Sequence, residues 1–220
     1  MPLLSLEVIR STWNAMAAWT PAQADRRAKR FVERQPIVNA AVLALTEDAG
    51  EDAASMALYC ASAVAACYEK ARHRSLPRVR ETVMDEALDG MQRWGRDLEN
   101  MDEQLLARRA LYGRDHDQPY VVAELMRYLM DAAREREFEA KHLGTIFSVL
   151  LVVIRAFDRV SGVPRRVPSM EQVLKEVTGG PLPSLHRQGP CPCGSGRRYR
   201  DCCLKRRAPA AVRGRRLQAP

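Results

Sequence analysis

Apolar residues recur at three- and four-residue intervals through most of residues 3–160, which is the pattern of amphipathic helices. In residues 53–73, for example, Met56, Cys60 and Val64 fall on one helical face. Almost no segment alternates apolar and polar residues as a half-buried strand would. Residues 147–154 are rich in β-branched side chains, but their flanks are helical. The pattern predicts an all-α fold for residues 1–178, a bundle of about six to eight helices.

Prolines and breaks in the pattern mark the ends of the predicted helices. Thr20-Pro21 and Gln35-Pro36 each place proline at the first helical position, where its missing N–H costs nothing. Pro77 follows the predicted end of the long helix, and residues 113–117 are predicted to form a loop. The predicted helices cover residues 3–19, 21–33, 36–49, 53–73, 78–112 as one or two helices, 119–135, 139–162 and 169–177.

One motif occurs twice. Gln35-Pro36 at the start of one helix matches Gln118-Pro119, 83 residues later, and similar residues follow in both copies. A longer helix comes next in each case, and residues 66–70 resemble residues 155–159. The match predicts two related helical hairpins in one bundle. The alternative is coincidence, because Gln-Pro is a common way to start a helix.

Four cysteines lie close together near the C-terminus, in two pairs. Cys191 and Cys193 are one residue apart, and Cys202 and Cys203 are adjacent after eight further residues. Thiolates are good zinc ligands and hold the ion in a tetrahedron. Adjacent cysteines rarely bridge each other, and nothing marks the chain as secreted, so a metal site is favoured over disulfides. All four are predicted ligands of one zinc ion, with iron as the alternative.

This stretch resembles the SEC-C motif, the small metal-binding knuckle at the C-terminus of the SecA preprotein translocase. The accessory positions of that motif are matched by Ser195, Gly196, Tyr199 and Arg200. The last ligand is Cys203 where SecA itself carries histidine, and both occur in the family. The resemblance covers residues 189–205 and identifies a module rather than a whole protein. It implies contact with a chaperone, a ribosome or a similar partner.

Composition divides the C-terminal part further. Residues 179–190 are rich in glycine and proline and are a predicted flexible linker. Residues 191–205 are the predicted zinc knuckle. Residues 206–220 are a basic tail that is predicted to be disordered. Residues 197–220 hold nine basic residues and one acid, whereas the rest of the chain holds 26 of each. The net charge of +8 therefore lies in the knuckle and tail. The predicted partner-binding residues are Arg197, Arg198, Tyr199, Arg200, Lys205, Arg206, Arg207, Arg213, Arg215 and Arg216.

Location and chemistry are restricted by what the sequence lacks. The N-terminus has no basic region followed by an apolar stretch, and the apolar run 143–154 is too short to span a bilayer, so a cytoplasmic protein is expected. No nucleophile–base pair, phosphate loop or dinucleotide fingerprint occurs. Glu139 and His142 have the spacing of a di-iron motif but lack a second copy. Cys60 and Cys67 are expected in the core.

These features predict a non-enzymatic, zinc-binding adaptor. The knuckle and basic tail would dock on an acidic protein, a chaperone or a ribosome, and the bundle would provide recognition or self-association. The first alternative is a nucleic-acid-binding adaptor, in which the tail holds RNA or DNA phosphates. The lesser alternative is an enzyme with a site inside the bundle.

Overall fold

The computed structural model describes residues 3–99, 118–162, 168 and 170–178. The chain divides into two units, Met1–Gly179 and Gly180–Pro220, and every described residue lies in the first. Described residues form eight α-helices and no strand, so the predicted all-α fold is confirmed for this part of the chain. The helices are α1 Leu6–Ala17, α2 Pro21–Arg34, α3 Pro36–Leu45, α4 Glu51–Arg72, α5 Glu81–Glu99, α6 Pro119–Arg134, α7 Leu143–Ser161 and α8 Met170–Thr178.

The helix ends follow local chemistry. The Ser5 side chain accepts a hydrogen bond from the backbone N–H of Val8, and Thr20 forms a capping box with Gln23, so α1 is shorter than the predicted helix 3–19. Helix α3 ends at Leu45 and a short 3-10 turn follows, because Gly50 with φ 85° redirects the chain into α4. A second 3-10 turn, Ala140–His142, precedes α7 within the predicted helix 139–162.

The long helices α4 and α7 pack against each other in the middle of the core. Helix α4 contributes small buried side chains such as Ala57 and Ala61, whereas α7 contributes large ones such as Ile146 and Leu150. Small residues on one helix let the large residues of the other pack closely, as a dense interior requires. The Tyr68 hydroxyl of α4 donates a buried hydrogen bond of 2.7 Å to the Asp158 carboxylate of α7. This bond fixes the register of the two helices.

The repeated Gln-Pro motif has the same structural role in both copies. Gln35 and Gln118 are both buried and have closely similar backbone angles, with φ of −127° and −123°. The side-chain oxygen of Gln35 accepts from the backbone N–H of Val79, just before α5. The side-chain oxygen of Gln118 accepts from the backbone N–H of Leu4, just before α1. Each glutamine therefore anchors the start of a helix in the other half of the bundle.

The helix contacts repeat in the same way. Helices α1, α3 and α4 correspond to α5, α6 and α7 respectively. Under this correspondence the contact of α1 with α4 matches that of α5 with α7. The contact of α3 with α4 matches that of α6 with α7. The contact of α1 with α6 matches that of α5 with α3. The α4–α7 contact maps onto itself. The match is approximate, since α3 also contacts α7 whereas α6 has no equally extensive contact with α4. The matched contacts indicate a pseudo-two-fold relation of the two halves, as the predicted hairpin repeat requires.

The repeat extends further toward the N-terminus than the Gln-Pro motif. Counting from the Leu4–Val79 pair, segments 4–19 and 79–94 carry identical residues at three matched positions, Val8 with Val83, Met16 with Met91 and Trp19 with Trp94. The residue after α4 and the residue after α7 both have positive φ, His73 at 51° and Gly162 at 89°. Among the described residues, α1, α3 and α4 therefore match α5, α6 and α7 in their starts and in the end of the last helix.

Candidate functional site

Two thiols lie in the core of the bundle. Cys60 and Cys67 are fully buried, and the Cys60 sulfur lies 3.8 Å from the Met56 sulfur. Burial raises the pKa of Cys67 to about 12 and also raises the pKa of Cys60, so both remain protonated at neutral pH. A protonated, buried thiol is neither a nucleophile nor a metal ligand. The prediction that both belong to the core is confirmed.

The di-iron spacing does not produce a metal site. The Glu139 carboxylate is exposed and lies 2.7 Å from the Lys141 ammonium group. That hydrogen-bonded ion pair lowers the pKa of Glu139. Within residues 3–99 and 118–162, and in α8, no group of three or more histidine, cysteine, aspartate or glutamate residues could hold a metal ion.

A buried carboxylate fastens α1 and α6 together. The Glu124 side chain is only 4% exposed, and its two oxygens lie 2.7 Å from Arg10 and 2.8 Å from Arg127. The Arg10 guanidinium also donates to the backbone carbonyl of Val177 in α8. The Tyr120 hydroxyl of α6 hydrogen-bonds to Glu176 of α8, and burial, followed by this bond, raises the pKa of Tyr120 to about 12. These contacts satisfy the buried charge and hold α8 against α6, which is a structural role.

A cleft between α2 and α4 brings several arginines together, which the sequence did not reveal. The Arg27 guanidinium lies 5.6 Å from the centre of the Trp19 ring, a cation–π contact. The carboxylate of Glu69 receives Arg34 at 3.4 Å and Arg27 at 3.8 Å, and it accepts from the backbone N–H of Leu76. The Glu69 contacts therefore join α2 to α4 and to the following segment, and the arginines that line the cleft still outnumber this one acid.

The residues predicted to bind metal or a partner lie in the second unit, outside the described residues. They are the four cysteines Cys191, Cys193, Cys202 and Cys203 and the basic and aromatic residues between Arg197 and Arg216. The predicted boundaries at 179, 191 and 206 fall in the same region and stay predictions. None of the described helices is both long and apolar enough to cross a membrane.

Comparison with known proteins identifies one short segment. Residues 190–205 match the family model of the SEC-C motif, which agrees with the resemblance drawn from residues 189–205. The match covers all four cysteines and the accessory residues between them, and this motif is of a metal-binding type. Neither the comparison with curated proteins nor that with solved structures gave a match. The chain therefore contains a SEC-C motif that follows a helical bundle.

Proposed function

We propose that this protein is a non-enzymatic adaptor that binds one zinc ion in its SEC-C motif and docks on an acidic partner through residues 191–220. The match of residues 190–205 to the SEC-C motif is the observation that carries this proposal. The partner we propose is an acidic protein, a chaperone or a ribosome. The bundle provides the folded body that the docking segment follows along the chain.

The donor set suits zinc. Four thiolates give zinc its preferred tetrahedron at about 2.3 Å and leave no position open for water or substrate. Such a site is structural, so the ion would supply folding free energy and no hydrolytic chemistry. Cys191, Cys193, Cys202 and Cys203 would hold it. Iron would accept the same ligands, and elemental analysis separates the two metals.

The charge distribution supports docking on an acidic surface. The nine basic residues between Arg197 and Arg216 face only one acid, Asp201, in the same stretch. The described part of the bundle contains many ion pairs between opposite charges, such as those around Glu69 and Glu124. A partner with negative charge would therefore be drawn to the C-terminal segment by long-range attraction.

Nucleic acid is the second candidate, because the same positive charges would bind phosphates. Binding to naked RNA would weaken steeply with salt through counterion release. A pull-down with the full chain separates the two functions. A captured partner that survives nuclease treatment supports the protein adaptor, whereas loss of all captured material after nuclease supports the nucleic-acid adaptor.

Metal analysis tests the core of the proposal. Protein purified under reducing conditions without chelator should contain one zinc per chain, and Cys191→Ser or Cys202→Ser should remove it. Cys60→Ser is the control, because that thiol lies in the core and should not change the metal content. Absence of stoichiometric metal from the unaltered chain would refute the proposed knuckle.

A charge-matched pair of variants tests the docking segment. The first replaces five tail arginines with serine: Arg206, Arg207, Arg213, Arg215 and Arg216. The second replaces five exposed arginines of the bundle: Arg26, Arg74, Arg80, Arg93 and Arg136. Both lose the same net charge. Partner binding should lose its salt dependence in the first variant only; an equal loss in both would place the contact outside the tail.

A further inference from the structure

One end of the bundle is closed by three aromatic rings. Trp13 of α1, Tyr59 of α4 and Tyr128 of α6 contact each other, with ring centres 4.6 Å apart for Trp13 and Tyr128, 6.0 Å for the two tyrosines and 6.3 Å for Trp13 and Tyr59. All three are partly buried and pack against the core. Rings at these separations interact favourably beyond the area that they bury. We call this group the aromatic cluster.

The pseudo-two-fold relation places a different set of residues at the matching end. Counting from Leu4 and Val79, Trp13 corresponds to Leu88 in α5. Counting from Gln35 and Gln118, Tyr128 corresponds to Leu45, and counting from Tyr68 and Phe157, Tyr59 corresponds to Ser148 in α7. Each aromatic ring of the first end is therefore replaced by a smaller side chain at the second.

An open groove occupies that second end. Leu45, Leu88 and Ser148 all line it, so the three positions that the correspondence selects meet in one place. The groove has a volume of about 510 Å³. Its other lining residues are Met91, Gln92, Gly144, Thr145, Val149 and Val152. The coincidence is informative, because residues outside the groove fixed the correspondence. They are the two buried glutamines with their partners Leu4 and Val79, and the matched pair Tyr68 and Phe157.

The lining specifies the chemistry of what could fill the groove. Its floor is apolar, with Val149 and Val152 buried, and its rim carries the uncharged polar groups of Gln92, Thr145 and Ser148. Among the described residues, no charged side chain lines it. The volume is in the range of small-molecule sites, and such sites combine apolar walls with a few polar groups. A charged ligand would lose hydration there without gaining a partner.

We infer that this groove is a binding site for an uncharged aromatic small molecule of indole or phenol size, which takes the place that the chain's own rings occupy at the other end. The occupant is aromatic because the corresponding positions of α1, α4 and α6 hold Trp13, Tyr59 and Tyr128, whose rings contact each other. A polar edge such as an indole N–H or a phenol hydroxyl would meet the hydroxyls of Thr145 and Ser148. This site is independent of the metal-binding motif.

The test uses the full chain with methyl-labelled leucine and methionine, titrated with indole and followed by NMR. Indole should shift the methyl signals of Leu45, Leu88 and Met91 with a dissociation constant on the order of 1 mM or tighter, as expected for a fragment of this size. Cyclohexylmethanol, apolar but not aromatic, should bind at least fivefold more weakly. The shifts should persist with a chelator present, which separates this site from the proposed zinc knuckle.

Two variants test the location. Ser148→Tyr places a ring at the position that corresponds to Tyr59 and should weaken indole binding at least tenfold. Leu88→Trp should weaken binding equally and replaces the first variant if that one folds poorly. Ser55→Tyr is the matched control, since Ser55 is exposed on the other long helix. The proposal is overturned if indole does not bind to the unaltered chain, which would follow if another segment of the chain covered the groove. Binding that survives both groove substitutions also overturns it, and equal binding of cyclohexylmethanol refutes the aromatic class.

Discussion

The two buried glutamines predict an asymmetric response to the same substitution. Gln35 makes two hydrogen bonds with the segment before α5: its oxygen accepts from the Val79 N–H in a buried bond of 3.0 Å, and its amide donates to the Pro77 carbonyl in a partly buried bond of 2.9 Å. Gln118 makes one, accepting from Leu4 N–H at 2.9 Å. Its amide nitrogen is buried and has no acceptor among the described residues. Methionine has nearly the same shape and forms neither bond.

The expected magnitudes follow from the unpaired groups. Gln35→Met leaves the buried Val79 N–H without a partner, at about 1–3 kcal/mol, and removes a partly buried bond to the Pro77 carbonyl, at about 1 kcal/mol, so a loss of about 3 kcal/mol is expected. Gln118→Met leaves one N–H unpaired, which costs about 1–3 kcal/mol, but it also removes a buried amide that lacks an acceptor. These two effects offset each other, so its change in unfolding free energy should be within about 1 kcal/mol of zero.

Urea unfolding followed by circular dichroism measures the difference. With a slope of about 2 kcal/mol per molar urea, the midpoint of Gln35→Met should fall about 1.5 M below that of Gln118→Met. Unchanged slopes would show that both variants unfold from comparable native states. Equal midpoints, or a larger loss for Gln118→Met, would refute the assignment of the hydrogen bonds and with it the reasoning from unpaired groups.

Three further predictions concern the bundle. The free energy of unfolding should fall from pH 9 toward 12, because burial raises the pKa of Cys60 and Cys67 while unfolded thiols ionise near 9.0. Urea unfolding at each pH measures the slope of this free energy against pH. Replacing both cysteines with alanine should reduce the slope by about 2.7 kcal/mol per pH unit where both unfolded thiols are ionised. Tyr68→Phe keeps the ring but loses the bond to Asp158, and should cost about 1.5–3 kcal/mol in the same assay; a loss below about 0.5 kcal/mol would contradict a buried bond to a carboxylate. A chain ending at Gly179 should melt within a few degrees of the full chain by differential scanning calorimetry, since the first unit holds the described core, and a large drop would show that residues after 179 stabilise it.

The helices themselves were predictable because their signals are local. Apolar spacing, prolines at helix starts and capping residues such as Thr20 depend on a few neighbouring positions, and the structure has a helix at each predicted place among the described residues. The helix ends were less predictable. The stop at Leu45 depends on a 3-10 turn and on Gly50, and the apolar run around residue 147 needed its flanks to be recognised as helical.

The repeat was only half predictable, and the groove not at all. The Gln-Pro motif is conspicuous, but segments 4–19 and 79–94 share identical residues only at separated positions such as Val8 with Val83 and Trp19 with Trp94. Those matches become evident once Leu4 and Val79 are seen bonded to equivalent glutamines. The groove depends on how three helices meet, which no local pattern shows. The four cysteines predicted to bind metal were the reverse case, since their spacing and the residues between them identified the motif that residues 190–205 match.

The two halves of the bundle differ in where they place their bulky side chains. At the central contact, α7 supplies Ile146, Leu150 and Ile154 where α4 has the alanines Ala57, Ala61 and Ala65, so the large side chains come from one half. At the ends the balance is reversed, because the first half contributes Trp13 and Tyr59 to a closed cluster and the second leaves the matching positions small. The proposed binding groove can stay open because the bulky residues of α7 fill the central contact with α4 and stabilise the bundle there.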